Sequence, residues 1–365
     1  MRESQLDLFA NGSEIGASDP ELVELARHIP RHVAFGTSSW TFSGWTGIVY
    51  AERYRNQREL ARDSLAEYAR YPLFGTVGID STYYRPAQAE ALRHYRAQLP
   101  SGFQCVMKVY SGITTFAFPD HERAGAKRGQ QNSTFLDVSS FEEQVHAAVT
   151  QSGFADHLAA YVLEFPPSQG RLTPEQFVRR LERFLADAPR ARYAIELRDP
   201  QLMTDEYLRV LQAAGASHVF NFHSRMPPLS RQLRRVSEVL GRLPGSVVVA
   251  RLLQPPGSNY DALKKQYAPF DRLVTPNPIL RADVLELIAA AATHSTTAFV
   301  IVNNKAEGSA PLTIRALAES LRDSIAPDPL GLTPSPGSGR GHAAGREARR
   351  RLHPTVVGPT RSGSG

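Results

Sequence analysis

The stretch Ser246-Val247-Val248-Val249-Ala250-Arg251-Leu252-Leu253 decides the fold. From Val247 to Ala250 it is apolar without interruption. A strand with one wet face would alternate apolar and polar side chains. An unbroken run therefore marks a strand covered on both faces, as in a parallel sheet. Working outward, short runs rich in Val, Ile, Phe or Tyr recur along the chain. Strands are expected at 33–39, 76–83, 103–110, 159–165, 192–198, 218–223, 246–253 and 297–303.

Helical patterns fall between them, near 58–70, 87–98, 139–151, 174–187, 204–214, 230–241, 278–292 and 312–323. Thr173-Pro174-Glu175-Gln176 supplies an N-cap, a proline at the first helical position and a glutamine at the third. Gly215 offers a helix stop. Eight βα units in series predict an α/β fold of the TIM type, a (β/α)8 barrel with right-handed crossovers. The alternative is an open doubly wound sheet, and the lack of a glycine-rich phosphate turn after any strand counts against a dinucleotide-binding one. The stretch 115–137 is too long for an ordinary βα loop and is expected to form a flap over one end of the barrel.

The chain has 365 residues and a net charge of +6, unevenly placed. From Ala326 onward six arginines face two acids, so the barrel region is nearly neutral. Residues 326–365 are rich in Gly, Pro and Arg and have no aromatic residue, which predicts a disordered basic tail. Such a tail either raises nonspecific affinity for nucleic acid or solubilises the chain. Residues 1–30 are expected to be a flexible leader and 31–325 the barrel. The single cysteine, Cys105, lies in an apolar run and excludes a disulfide framework or a multi-cysteine zinc site. No signal-like or membrane-length apolar segment is present, so a cytoplasmic protein without membrane association is expected.

Barrel enzymes work at the C-terminal ends of their strands. Here those ends are polar. They carry Ser38, Ser39 and Trp40; Asp80; Lys108; Glu164; Glu196 and Arg198; Asn221 and His223; Arg251; and Asn303 and Asn304. Residues two apart on a strand share a face, so Glu196 and Arg198 point together, as do Asn221 and His223. Isolated charges are costly in a barrel lumen, so these groups must pair, hydrate or bind something. One reading is a ring of ion pairs, such as Glu196 with Lys108 or Arg251. The other is a site for an anionic ligand. Glu196, Lys108 and His223 would then be catalytic, with Glu196 as general acid or base. Arg198, Arg251, Asn303, Asn304, Trp40, Asp80 and Asn221 would bind substrate, and arginine's fork suits phosphate or carboxylate. Trp40 and Trp45 would stack on a base or sugar, or else plug the first βα loop.

No cofactor is predicted. Asp80, Glu164, Glu196 and His223 could hold a divalent metal, but only one histidine is among them and the interleaved cations can neutralise the carboxylates. A metal-dependent sugar hydrolase or isomerase therefore ranks below anion binding.

The leader contains Gln5-Leu6-Asp7-Leu8-Phe9. This pentapeptide is similar to the linear motif by which bacterial replication and repair proteins dock on the DNA sliding clamp. Leu6, Leu8 and Phe9 would enter an apolar groove while Gln5 makes polar contacts. The competing reading is an arm packed onto the barrel itself.

The strand ends carry Phe35-Gly36-Thr37-Ser38-Ser39-Trp40 with Gly44-Trp45, Asp80-Ser81-Thr82-Tyr83-Tyr84, Val106-Met107-Lys108, Glu164-Phe165-Pro166-Pro167, Ala194-Ile195-Glu196-Leu197-Arg198, and Val302-Asn303-Asn304-Lys305 with Gly308. In these motifs the chain resembles the YecE-like family, domain of unknown function family 72. The resemblance spans roughly 33–323 and implies a TIM-type barrel. It implies no particular reaction. Gly78, Asp80, Glu164 and Asp199 depart from the family's usual residues, while Lys108, Glu196, Arg198, Asn303 and Asn304 keep them. The expected function is an enzyme, a hydrolase or lyase, on a phosphate-bearing substrate, either a small anion or nucleic acid. The alternative is a noncatalytic DNA-maintenance accessory protein recruited to the clamp.

Overall fold

Eight parallel strands close into a barrel in strict chain order in the computed structural model, which describes residues 19–51, 54–118 and 128–325. They are β1 (Val33–Thr37), β2 (Thr76–Ile79), β3 (Gln104–Lys108), β4 (Leu158–Phe165), β5 (Tyr193–Leu197), β6 (Ser217–Phe222), β7 (Val247–Leu252) and β8 (Thr297–Val302). β8 pairs with β1 and closes the ring. All eight expected strands are present. β2 is shorter than expected because the chain turns into a 3-10 helix at Asp80–Tyr83. There Thr82 donates its hydroxyl to the carbonyls of Ile79 (2.8 Å) and Lys108 (2.6 Å).

Period-two alternation separates two apolar layers. Inside lie Val106, Val162, Ala194, Val219, Val249, Phe299 and Ile301. The opposite faces of the strands join the larger core beneath the helices. Filling the lumen with such side chains makes it a packed core rather than a pore. At the β1–β2 seam a side chain on Gly36 would place its Cβ 2.0 Å from the Thr76 carbonyl oxygen, so only glycine permits that approach. Tyr68 locks the seam: its hydroxyl donates to Thr76 O (3.1 Å) and accepts from the Thr37 amide (2.9 Å).

The helix signals act as expected. Thr173 and Gln176 form a reciprocal capping box at the start of Pro174–Asp187. Gly215 ends Asp205–Ala214 with φ of 67°. Two expectations need correction. Residues 20–26, assigned to a flexible leader, form a helix whose Leu22 and Leu25 are buried; Asp19 caps it and Pro20 opens it. A further helix, Tyr260–Tyr267, stands between β7 and the helix Pro278–Thr293.

Of the expected flap 115–137, residues 119–127 lie outside the described residues, and the described remainder does not line the mouth cavity. Ala117 bridges Gln131, and Asn132 holds the carbonyls of Gly112 and Thr115. This segment faces the helix Pro174–Asp187 across a separate cavity of about 850 Å³. Residues 5–9 and the tail 326–365 lie outside the described residues. Among the described residues no helix is long and apolar enough to cross a membrane.

Candidate functional site at the barrel mouth

Lumen parity carries one layer above the apolar filling. Two residues beyond Val106, Val162, Ala194, Val219, Val249 and Ile301 come Lys108, Glu164, Glu196, Asn221, Arg251 and Asn303. The polar set at the strand ends is thus the top rung of an inward-facing ladder. Three cations and three carboxylates interlock there.

Lys108 Nζ lies 2.5 Å from Glu164 and 3.6 Å from Asp80. Arg198 lies 2.8 Å from Glu164 and 2.9 Å from Glu196. Arg251 donates to Asp80 at 2.6 Å and stands 3.5 Å from Glu196. The ring of ion pairs is therefore real, and it cancels its own charge. Glu196 is 0% exposed, and its oxygens are close to both arginines without hydrogen-bond alignment to either. It acts as a central counter-charge rather than a directional acceptor. Burial alone would raise the Glu164 pKa, but Arg198, Lys108 and Arg251 hold it well below the usual carboxylate range. Burial opposes the charge on Arg198 and Arg251 too, yet the surrounding carboxylates keep both firmly protonated.

Above this ring opens a cavity of about 630 Å³. Of the expected site residues, Asp80, Lys108, Arg198, His223 and Asn303 line it. The others do not. Glu196, expected to be the general acid or base, is sealed beside the arginines and does not line the cavity. Arg251 is buried with it and acts on the cavity through Asp80. Asn221 donates to Leu197 O at 2.8 Å and is fully buried. Asn304 accepts from the Ala310 amide and from Trp45, closing the β8 turn. Trp40 donates to Ala61 O and packs edge-on against Tyr95, so it belongs to the core beside the first loop rather than to a stacking platform. Trp45, 0% exposed, likewise plugs that loop.

The cavity also exposes groups that were not among the expected site residues. Arg225, Lys264 and Lys305 line it, with Tyr84 and Tyr260. Arg225, Lys264 and Tyr260 are brought near by loop and helix placement, which the strand ends do not register. His223 Nδ1 accepts from the Arg225 amide at 3.3 Å, which leaves Nε2 as the protonated nitrogen in the neutral ring. Burial and then the Arg198 charge lower the His223 pKa to about 3, so the ring is neutral at pH 7. One Asp80 oxygen, Oδ1, is buried without a hydrogen-bond partner. Among the described residues no three His, Cys, Asp or Glu side chains gather as metal ligands. Cys105 is buried, and burial raises its thiol pKa, as an inert core residue requires.

A closed (β/α)8 barrel with a charged ring under its C-terminal mouth defines the class of protein. Within that class, the family described as "Protein of unknown function DUF72" matches residues 34–336. The chain belongs to the DUF72 family, which includes the YecE-like proteins its motifs resemble. A DUF72 family protein from Enterococcus faecalis V583 is similar in two crystal structures. They show 15% and 16% identity with TM-scores of 0.50 and 0.53, covering 80% and 81% of this chain and 97% of that one. A DUF72 family protein from Thermotoga maritima MSB8 shows 17% identity and a TM-score of 0.50, covering 79% of this chain and 98% of that one. At these identities the likeness speaks for the fold. No curated protein matches the chain.

Proposed function

We propose that this protein is an enzyme acting on a phosphate-bearing substrate, nucleic acid included, at the C-terminal mouth of the barrel. One observation carries the reading: the lining holds more cations than its carboxylates can match. Lys108 and Arg198 are matched by Asp80 and Glu164. Arg225, Lys264 and Lys305 face the same space and form no ion pair among the described residues. A cavity with surplus positive charge above a neutral ring attracts an anion without disrupting the ring.

Lys108 and Arg198 are the innermost contacts for the phosphate, with Arg supplying a forked donor and Lys a point charge. Asn303 and the Nε2–H of His223 serve as neutral donors that orient the substrate. His223, neutral and hard to protonate, is a donor rather than a base. Asp80 takes the general-base role expected of Glu196, because its side chain is 22% exposed and lines the cavity whereas Glu196 is sealed below. A reaction in which a proton leaves the substrate while negative charge grows beside Lys108 and Arg198 fits hydrolase or lyase chemistry.

The test is fluorescence anisotropy with a labelled single-stranded oligonucleotide, competed with pyrophosphate across a salt series. It compares the full chain with residues 1–325. Binding by 1–325 that pyrophosphate displaces, and that Arg198→Ala weakens by roughly tenfold or more, is the expected result. Binding that vanishes with the tail, with no effect of pyrophosphate, would assign the affinity to the tail and end this reading.

A further inference from the structure

Five lysines stand among the 42 basic residues of this arginine-dominated chain. Three of them, Lys108, Lys264 and Lys305, line the mouth cavity. Arginine holds an anion at least as well, but it cannot lose its proton in a protein and cannot attack carbon. A lysine is needed where an amine must react.

The three differ in what surrounds them. Lys108 is bound to two carboxylates, which keep its nitrogen occupied. Lys264 is exposed on the helix Tyr260–Tyr267. Lys305 is 8% exposed, follows β8 in a 3-10 turn, and makes no hydrogen bond or ion pair with its Nζ among the described residues. Among the described residues its Nζ packs over the Tyr260 ring, whose centroid lies 4.3 Å away. The turn itself is rigid: Asn303 caps it by accepting from the Lys305 amide at 3.0 Å, and Asn304 pins it to Trp45 and Ala310.

We propose that Lys305 is a nucleophilic amine that condenses with the carbonyl carbon of a phosphate-bearing aldehyde or ketone bound in the mouth cavity. The inference deepens the proposed function and rests on it for the phosphate half of the substrate. Burial, the largest influence, lowers the Lys305 pKa to about 8 against the pull of Asp80, with Lys264 adding to the lowering. Roughly a tenth of the amine is therefore neutral at pH 7, far more than for an ordinary lysine.

In the condensation the Nζ lone pair bonds to the carbonyl carbon, and the carbonyl π pair moves to oxygen. That oxygen takes a proton from the attacking nitrogen, giving a carbinolamine. One further proton, taken from solvent in the open cavity, lets the oxygen leave as water, and the nitrogen lone pair forms the iminium. The phosphate meanwhile sits on Lys108 and Arg198. A small sugar phosphate and an abasic nucleotide in a nucleic acid strand share this chemistry.

The experiment traps the iminium in the full-length protein with borohydride, which delivers hydride to the iminium carbon and leaves a stable secondary amine. Three probes are used in parallel: glyceraldehyde 3-phosphate, an oligonucleotide with one abasic site, and unphosphorylated glyceraldehyde. Peptide mass mapping locates the adduct among the five lysines. The expected result is an adduct on Lys305 from one or both phosphorylated probes, suppressed by inorganic phosphate and absent in Lys305→Arg. Whichever phosphorylated probe labels at lower concentration identifies the source of the carbonyl.

Adducts spread over the lysines, or none on Lys305, overturn the amine inference. This holds even if pyrophosphate still displaces the oligonucleotide, in which case the anion site stands alone. Equal labelling of Lys305 by glyceraldehyde and its phosphate, unaffected by inorganic phosphate, keeps the reactive amine and removes the phosphate reading. The mapping is made on the wild-type chain, so its outcome does not depend on how the variant folds.

Discussion

Arg251 at the end of β7 reaches Asp80 just past β2, donating from Nη2 at 2.6 Å to a residue 171 positions away in sequence. Glu196 lies on the other side of the same guanidinium, 3.5 Å from its Nε. The Arg251 side chain is therefore held between a carboxylate that lines the cavity and one that never sees it. This arrangement separates the sealed half of the charged ring from the half that faces the cavity.

Glu196→Gln is expected to act on stability first. It leaves Arg198 and Arg251 buried with one negative charge fewer between them. Breaking such a buried network costs about 3–5 kcal/mol. Urea unfolding of the purified variant measures it. A change below about 1 kcal/mol would show that Asp80 and Glu164 satisfy both arginines unaided.

Glu164→Gln is expected to strengthen anion binding. The carboxylate it removes neutralises Lys108 and Arg198 at the cavity floor. Sulfate, which does not titrate near neutrality, should bind roughly tenfold tighter to the variant, given an effective dielectric near that of a protein surface. Titration calorimetry reads this. In the wild type neither Glu164 nor His223 changes charge between pH 5 and 7, because both have strongly lowered pKa values. Unchanged or weaker sulfate binding by the variant would mean that the two cations are not the anion's contacts.

Acid should destabilise the fold through His218. Burial lowers its pKa to about 4. The ring lies behind β6, between the Tyr207 hydroxyl (3.0 Å) and Gln232. The unfolded chain protonates this histidine near pH 6.5 while the folded one stays neutral, so acid favours unfolding. The stability contribution is complete above about pH 6.5 and is lost as the pH falls towards 4, amounting to roughly 3 kcal/mol over that window. Urea midpoints between pH 4 and 7 should show this slope, and His218→Gln should flatten it. A variant with the same slope as the wild type would place the effect elsewhere.

The pentapeptide Gln5–Phe9 is proposed to dock on a bacterial sliding clamp. Surface plasmon resonance with the full chain should show clamp binding that Leu8→Ala with Phe9→Ala abolishes, while urea unfolding of the barrel is unaltered. Clamp binding that survives both substitutions would dismiss the motif.

The barrel was legible because its signals are local. Unbroken apolar runs, caps such as Thr173 and stops such as Gly215 depend on a few neighbouring residues. The candidate site was half legible. Strand parity placed Lys108, Asp80, Arg198, His223 and Asn303 at the mouth. It misplaced Glu196, Arg251, Asn221, Asn304 and Trp40, because depth within the mouth depends on what lies above each side chain. Trp40 and Trp45 sit in the right loop, yet both are in the core. Lys305 appeared only as part of a motif, since its seclusion arises from a ring carried by the helix Tyr260–Tyr267, an element outside the eight expected units.

By itself the sequence determined the number and order of the strands, the parallel sheet they form and the inward-facing rung of polar residues, since backbone alternation sets side-chain direction wherever a strand forms. Only the tertiary structure decided which charges cancel and which remain available. Closing the barrel brings together side chains from strands far apart in sequence, and over a few ångströms the Coulomb energy between two charges depends on their separation and burial, neither of which is written in the spacing of residues along the chain.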